Sequence, residues 1–306
     1  MKKFILYSIV LAAVMTGILS CSEDKLSDES VIVESQIAQN DLDRWLTANY
    51  VNTYNINFQY RYADNEADMG YYTIPARMDE AVKMAHLLKH VCLETYDEVA
   101  GINFTRANFP KHIFLIGEWE YKNNGTYILG TAEGGKKIYL AGINYLEEHL
   151  KSAAELNHYY LKTIHHEFTH ILNQNKPYTT DFKKVAEAGY VNDEWSKAPN
   201  DTGYLHRGFI SAYAQDEDRE DFAEMVSLYI TNTPQQWEAW MIEAAKGFDA
   251  KTGKNGRQLI EQKLDIMRVY MKDSWGLNID DLRAAIIRRQ NDVMTGKVSL
   301  TDLKVE

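Results

Sequence analysis

Two cysteines, Cys21 and Cys92, are all that 306 residues contain. So few thiols exclude a disulfide-stapled scaffold. Basic charge is also scarce, with 33 Lys and Arg against 44 Asp and Glu and a formal net charge of −11. A chain this acidic repels phosphate backbones, so no nucleic-acid partner is expected. Long apolar runs are absent after the first twenty residues, and no internal repeat is present. The one such run, Phe4 to Leu19, is roughly 16 residues, short of the ~20 needed to span a bilayer as a helix.

That run follows Lys2 and Lys3 and ends in Ile18-Leu19-Ser20-Cys21. Positive residues, a short apolar core and a small residue before a cut point describe a secretory signal peptide. The final four residues resemble a bacterial lipobox, which makes residues 1–20 a lipoprotein signal peptide and Cys21 the lipidated first residue of the mature chain. Membrane attachment through that lipid needs no spanning helix. Ser22-Glu23-Asp24 resembles the export signal of surface lipoproteins, so an outer-membrane, cell-surface location is expected. Residues 21–40 are polar and read as a tether. With Cys21 modified, Cys92 has no partner, and its apolar helical surroundings make it a small buried hydrophobe.

Residues 41–306 are long enough for one large domain. Apolar residues at helical spacing predict a helix over 75–99. His112-Ile113-Phe114-Leu115-Ile116 has strand length, and Thr126 to Leu129 with Lys137 to Leu140 flank a hairpin turn at Glu133-Gly134-Gly135. A long helix is expected from Leu146 to Asn173, then an irregular region over 176–206. Helices follow from Glu220, broken near Thr233-Pro234, between Gly247 and Gly256, and at Gly276. The expected class is α+β: a small mixed N-terminal sheet, an active-site helix, and a mostly helical C-terminal half with a subdomain from about residue 233.

The chemistry lies in His166-Glu167-Phe168-Thr169-His170. Two histidines four apart project from one helix face about one turn apart, and their nitrogens can reach one zinc ion. Glu167, beside the first ligand, can act as general base toward a water activated by that metal. His165 points to another face and reads as a packing residue. Catalytic zinc usually has three protein ligands, and no further histidine follows at close spacing. Arg219-Glu220-Asp221-Phe222-Ala223-Glu224 offers the missing carboxylate, on a helix whose buried stripe is Phe222, Met225, Val226 and Tyr229. Glu220 and Glu224 share one face, so one can bind zinc while the other orients a ligand histidine; Asp221 is a third possibility.

His166 to Asn173 together with the Glu-Asp-Phe-Ala-Glu segment resembles a Bacteroidetes family of zinc-binding metallopeptidases, the substrate import-associated zinc metallohydrolase lipoproteins. The layout is similar to that of the gluzincins, which include anthrax lethal factor. The resemblance implies a zincin-like fold with one zinc per chain, Glu220 as third ligand and Glu224 as its supporting partner, with Asp221 or Glu224 as the remaining alternatives for the ligand. It also implies that Tyr213, seven residues before Glu220, donates to the developing oxyanion. The activity implied is peptide-bond hydrolysis, with an extended substrate beside a strand, for which Lys137 to Gly142 is the candidate. A competing reading is a binding lipoprotein of a SusC/SusD-type nutrient import system whose zinc has no catalytic role; another is cleavage of a cell-wall or glycan-linked amide. Glu167 argues against the first, since a purely structural site has no use for a base there.

Overall fold

A computed structural model describes residues 38–66, 70–122, 127–133, 136–248 and 253–305. The expected signal peptide, Cys21 and most of the expected tether therefore lie outside the described residues. From Asn40 to Glu306 the chain forms one compact unit. Among the described residues no helix is long and apolar enough to cross a membrane.

The unit opens on α1 (Asp41–Leu46), started by a reciprocal cap in which Asn40 and Asp43 satisfy each other's backbone N–H at 2.9 Å. Strand β1 (Asn57–Gln59) follows. Next comes α2 (Met78–Leu87), which runs on through a π-helical stretch, Leu88–Leu93, into α3 (Glu94–Ala100). This is the helix expected over 75–99, and its buried stripe includes Val82, Met84, Ala85, Leu88, Val91, Cys92 and Tyr96. Gly101, at φ +85°, turns the chain into α4 (Ile102–Asn108).

Strand β2 (His112–Leu115) coincides with the expected apolar run. It is followed by β3 (Glu120–Tyr121), β4 (Tyr127–Ile128), β5 (Gly130–Glu133) and β6 (Lys137–Leu140). β1, β2, β6 and β5 make one sheet in that order, parallel except for the antiparallel β5–β6 pair. The sheet is mixed, as expected, but the hairpin differs. Its first strand is Gly130–Glu133, while Tyr127–Ile128 pairs with Glu120–Tyr121; its turn at Gly134-Gly135 lies outside the described residues. β6 lies between β2 and β5. It therefore has no free edge for a substrate; the edge strands are β5, next to it, and β1 at the far side.

The expected helix from Leu146 is interrupted. Leu146–His149 forms a single turn, and Ser152 starts a new helix by accepting from Glu155 N at 3.1 Å. That helix, α5 (Ala153–Leu156), continues through a π-helical segment, Asn157–Leu161, into α6 (Lys162–Asn175). On α6, Ile164, Phe168, Ile171 and Leu172 are buried. Phe168 packs between Tyr96 and Phe109 at 4.9 and 4.8 Å between ring centroids, burial of the kind that contributes about 2–3 kcal/mol per side chain. Gly130 lets the sheet edge approach this helix. A Cβ there would lie 2.7 Å from Thr163 Cγ2 and 2.6 Å from Tyr139 O.

Residues 176–217 are a run of turns and short 3₁₀ segments with one α-helix, Asp181–Lys184, matching the irregular region read from the sequence. Then come α7 (Asp218–Thr231), α8 (Pro234–Ala244), α9 (Gly256–Trp275) and α10 (Ile279–Met294). Each expected break is present. Pro234 occupies the first turn of α8 behind a Thr233 cap, and Gly276 closes α9 at φ +67°. α10 is tied to the α2–α3 helix by Arg289, which donates to Glu94 at 2.7 Å and to His90 O at 3.2 Å. Gln290 reaches Asn157 at 2.6 Å.

Candidate metal centre

α6 and α7 pack against each other and supply the centre. His166 and His170 stand one turn apart on α6, their rings 4.7 Å apart and nearly perpendicular. Their Nε2 atoms are 3.0 Å apart. Glu220, in the first turn of α7, places Oε2 3.0 Å from His166 Nε2 and 3.2 Å from His170 Nε2. These three are the residues whose ligand atoms converge closely enough to hold a metal among the described residues. Two imidazoles and a carboxylate are a zinc donor set. Tetrahedral bonds of about 2.0–2.1 Å put neighbouring ligand atoms about 3.3 Å apart, close to the spacing seen. The residues present therefore fit zinc.

Glu224 lies behind this trio, fully buried. Its Oε1 is 2.9 Å from His166 Nδ1, a close contact rather than a well-aligned hydrogen bond. Lys162 Nζ pairs with the same oxygen at 2.8 Å, and Ser211 donates to Oε2 at 2.7 Å. Although burial opposes ionisation, Lys162 and His166 hold the Glu224 carboxyl down to about 2. Burial alone would also depress the His166 imidazole, yet Glu220 and Glu224 outweigh it and raise it to about 9. Glu220 is held well below the usual carboxylate range, its burial overcome by the two histidines. Fixed negative charge thus surrounds a spot that attracts a cation.

Glu167 lines the cavity shared with His166, His170, Glu220 and Tyr213. That cavity has about 560 Å³ and is walled on one side by Ile128 to Thr131, at the β5 edge. A second cavity of about 510 Å³ shares Glu167, His170 and Glu220 with it and continues past Tyr178 and Lys183. The centre thus has binding space on two sides. Tyr213 stacks beside His166 at 6.0 Å between ring centroids and meets the edge of Trp195 at 5.0 Å. Burial, then the charge of Glu220 and a hydrogen bond to it, push the Tyr213 phenol well up, so it stays protonated and able to donate.

Glu220 stands with His166 and His170, and Glu224 stands behind His166. Asp221 does not join them. It is fully buried elsewhere, where Lys263 pairs with it at 2.5 Å and Tyr190 donates to it at 2.8 Å. His165 is a packing residue, with Tyr96 Oη 2.9 Å from Nδ1 and Cys92 Sγ 3.8 Å from Nε2. Burial brings its imidazole down to about 3 and pushes the Cys92 thiol up. Lys162, Ser211, Trp195 and Lys263 carry no motif.

A family model described as "Putative zinc-binding metallo-peptidase" matches residues 34–280. The chain belongs to that family. A crystal structure described as a putative zinc-binding metallo-peptidase from Bacteroides caccae is similar at 38% sequence identity and a TM-score of 0.72. The match covers 90% of this chain and 100% of that one. No curated protein matches the chain. Membership agrees with the zinc-binding metallopeptidase part of the resemblance, and with a mostly helical α+β fold carrying a small mixed sheet.

Proposed function

We propose that this chain is a zincin-type zinc metallopeptidase that cleaves internal peptide bonds of extended substrates. The observation that carries the reading is the convergence of His166, His170 and Glu220, with Glu167 and Tyr213 in the same cavity. Zinc bound there supplies Lewis acidity toward a carbonyl and water acidified toward neutral pH. His166, His170 and Glu220 would hold the ion, and the Glu224 carboxylate, 2.9 Å from His166 Nδ1, would orient that ring. The Glu167 carboxylate takes a proton from the attacking water and passes it to the departing amine nitrogen. The Tyr213 hydroxyl donates to the carbonyl oxygen as that oxygen gains charge.

An extended peptide can add to β5, whose outer position leaves it able to pair. Gly130 and Thr131 of that strand line the cavity that holds Glu167. Space on both sides of Glu167 and His170 favours a chain that passes through over one that ends there. Lipidation at Cys21 would hold the enzyme on the outer membrane facing outward, where peptides are encountered. Partnership with SusC/SusD-type import proteins would follow from a role in nutrient capture.

The test is a library of long proteome-derived peptides incubated with zinc-loaded protein. The expected result is internal cleavage that a chelator abolishes and added zinc restores. Removal of single terminal residues would reject internal cleavage. Absent cleavage would favour the binding-lipoprotein alternative, and chelator-insensitive cleavage would reject zinc-dependent hydrolysis.

A further inference from the structure

We propose that Lys263, on α9 and far from the motif in sequence, is a positioning residue for the metal centre. Its ammonium joins the helix that carries Glu220 to the loop that carries Tyr213. The catalytic half of this inference rests on the peptidase reading; the metal half does not.

Lys263 and Asp221 have no exposed side-chain surface at all. The ammonium lies 2.5 Å from Asp221 Oδ2 and 2.8 Å from Gly208 O, over the face of Phe209 at 4.0 Å. Tyr190 donates to the same Asp221 oxygen at 2.8 Å. A fully buried ion pair is a poor source of stability. Desolvation costs several kcal/mol per ion, and an apolar pair of similar volume often serves equally well. What sets this pair apart is what it holds.

Asp221 is the residue after Glu220 on α7. Successive helical side chains point about 100° apart, so Asp221 faces inward while Glu220 faces the cleft. Fixing Asp221 against Lys263 fixes the rotation of α7 about its axis, and with it the place of the Glu220 carboxylate. Gly208 begins the short segment that ends at Tyr213. At φ +85°, with a built Cβ only 2.6 Å from Leu259 Cβ, it lets this loop lie directly on α9. One ammonium therefore sets the spacing between a metal ligand and the oxyanion donor.

Three variants separate positioning from simple stability. Lys263→Met alone leaves Asp221 buried without its cation and should unfold at markedly lower temperature. Lys263→Met/Asp221→Leu removes both charges and should recover most of that loss. The double variant should nonetheless bind zinc about 10-fold more weakly in competition with a chromophoric chelator. Its kcat on a cleaved peptide should fall by a similar factor with KM unchanged. Tyr190→Phe deletes one hydrogen bond to Asp221 and should give a smaller shift in the same direction; it decides the matter if the double variant does not fold. Wild-type zinc affinity and kcat in the double variant, or in Tyr190→Phe if that variant decides, would overturn the proposal. If the wild-type protein cleaves no peptide, the zinc competition still decides the metal half.

Discussion

Glu167→Gln is expected to lower kcat by about 10²- to 10⁴-fold, the usual contribution of a positioned general base, while zinc stays bound. The substitution keeps the shape of the side chain and removes the oxygen that accepts a proton. Zinc should be retained because the converging ligand atoms belong to His166, His170 and Glu220, and Glu167 is not among them. Metal content and single-turnover cleavage, measured on one preparation, separate the two effects. Full activity with full zinc would show that another group takes the proton. Loss of zinc together with activity would show that Glu167 helps to hold the ion.

Tyr213→Phe carries the second large expectation, a fall in kcat of about 10²-fold with KM nearly unchanged. That pattern marks an interaction made in the transition state only, and the size is typical of one oxyanion donor. Phenylalanine keeps the ring beside His166 and the edge contact with Trp195, so packing should survive. The lost hydroxyl had engaged the Glu220 carboxylate, and a hydrogen bond to a charged group contributes about 1.5–3 kcal/mol to stability. A raised KM with unchanged kcat would instead place Tyr213 in substrate binding.

The parts of the site legible in the sequence were those set by helical periodicity. His166 and His170 must share a face because one turn separates them, and Glu220 with Glu224 repeat the relation on a second helix. Spacing alone left Glu220, Asp221 and Glu224 all open, since it shows which residues share a face and not what that face meets. Tertiary packing separates them: Asp221 faces Lys263, Glu224 lies behind His166 at Nδ1, and Glu220 meets both histidine Nε2 atoms. Lys162 and Lys263 were illegible as site residues because their partners, Glu224 and Asp221, come from distant parts of the chain.

The fold follows the same division. Periodic stretches such as Met78–Ala100 and the breaks at Thr233-Pro234 and Gly276 were readable, since local geometry sets them. The start of the active helix was misread because Leu146 to Leu150 carries apolar residues without being continuous with it, and the Ser152 cap restarts the helix. The free sheet edge was misread because strand order depends on pairing between distant segments. His112–Leu115 takes up one side of Lys137–Leu140 and leaves Gly130–Glu133 outermost.

The most direct test of the metal centre is an anomalous difference map at the zinc edge from crystals grown with the metal. The expected result is one zinc per chain, about 2.0–2.2 Å from His166 Nε2, His170 Nε2 and a Glu220 oxygen. Glu224 should still lie behind His166, and Asp221 should still be paired with Lys263. Zinc held by Glu224 or Asp221, or no peak between the two histidines, would contradict the arrangement described.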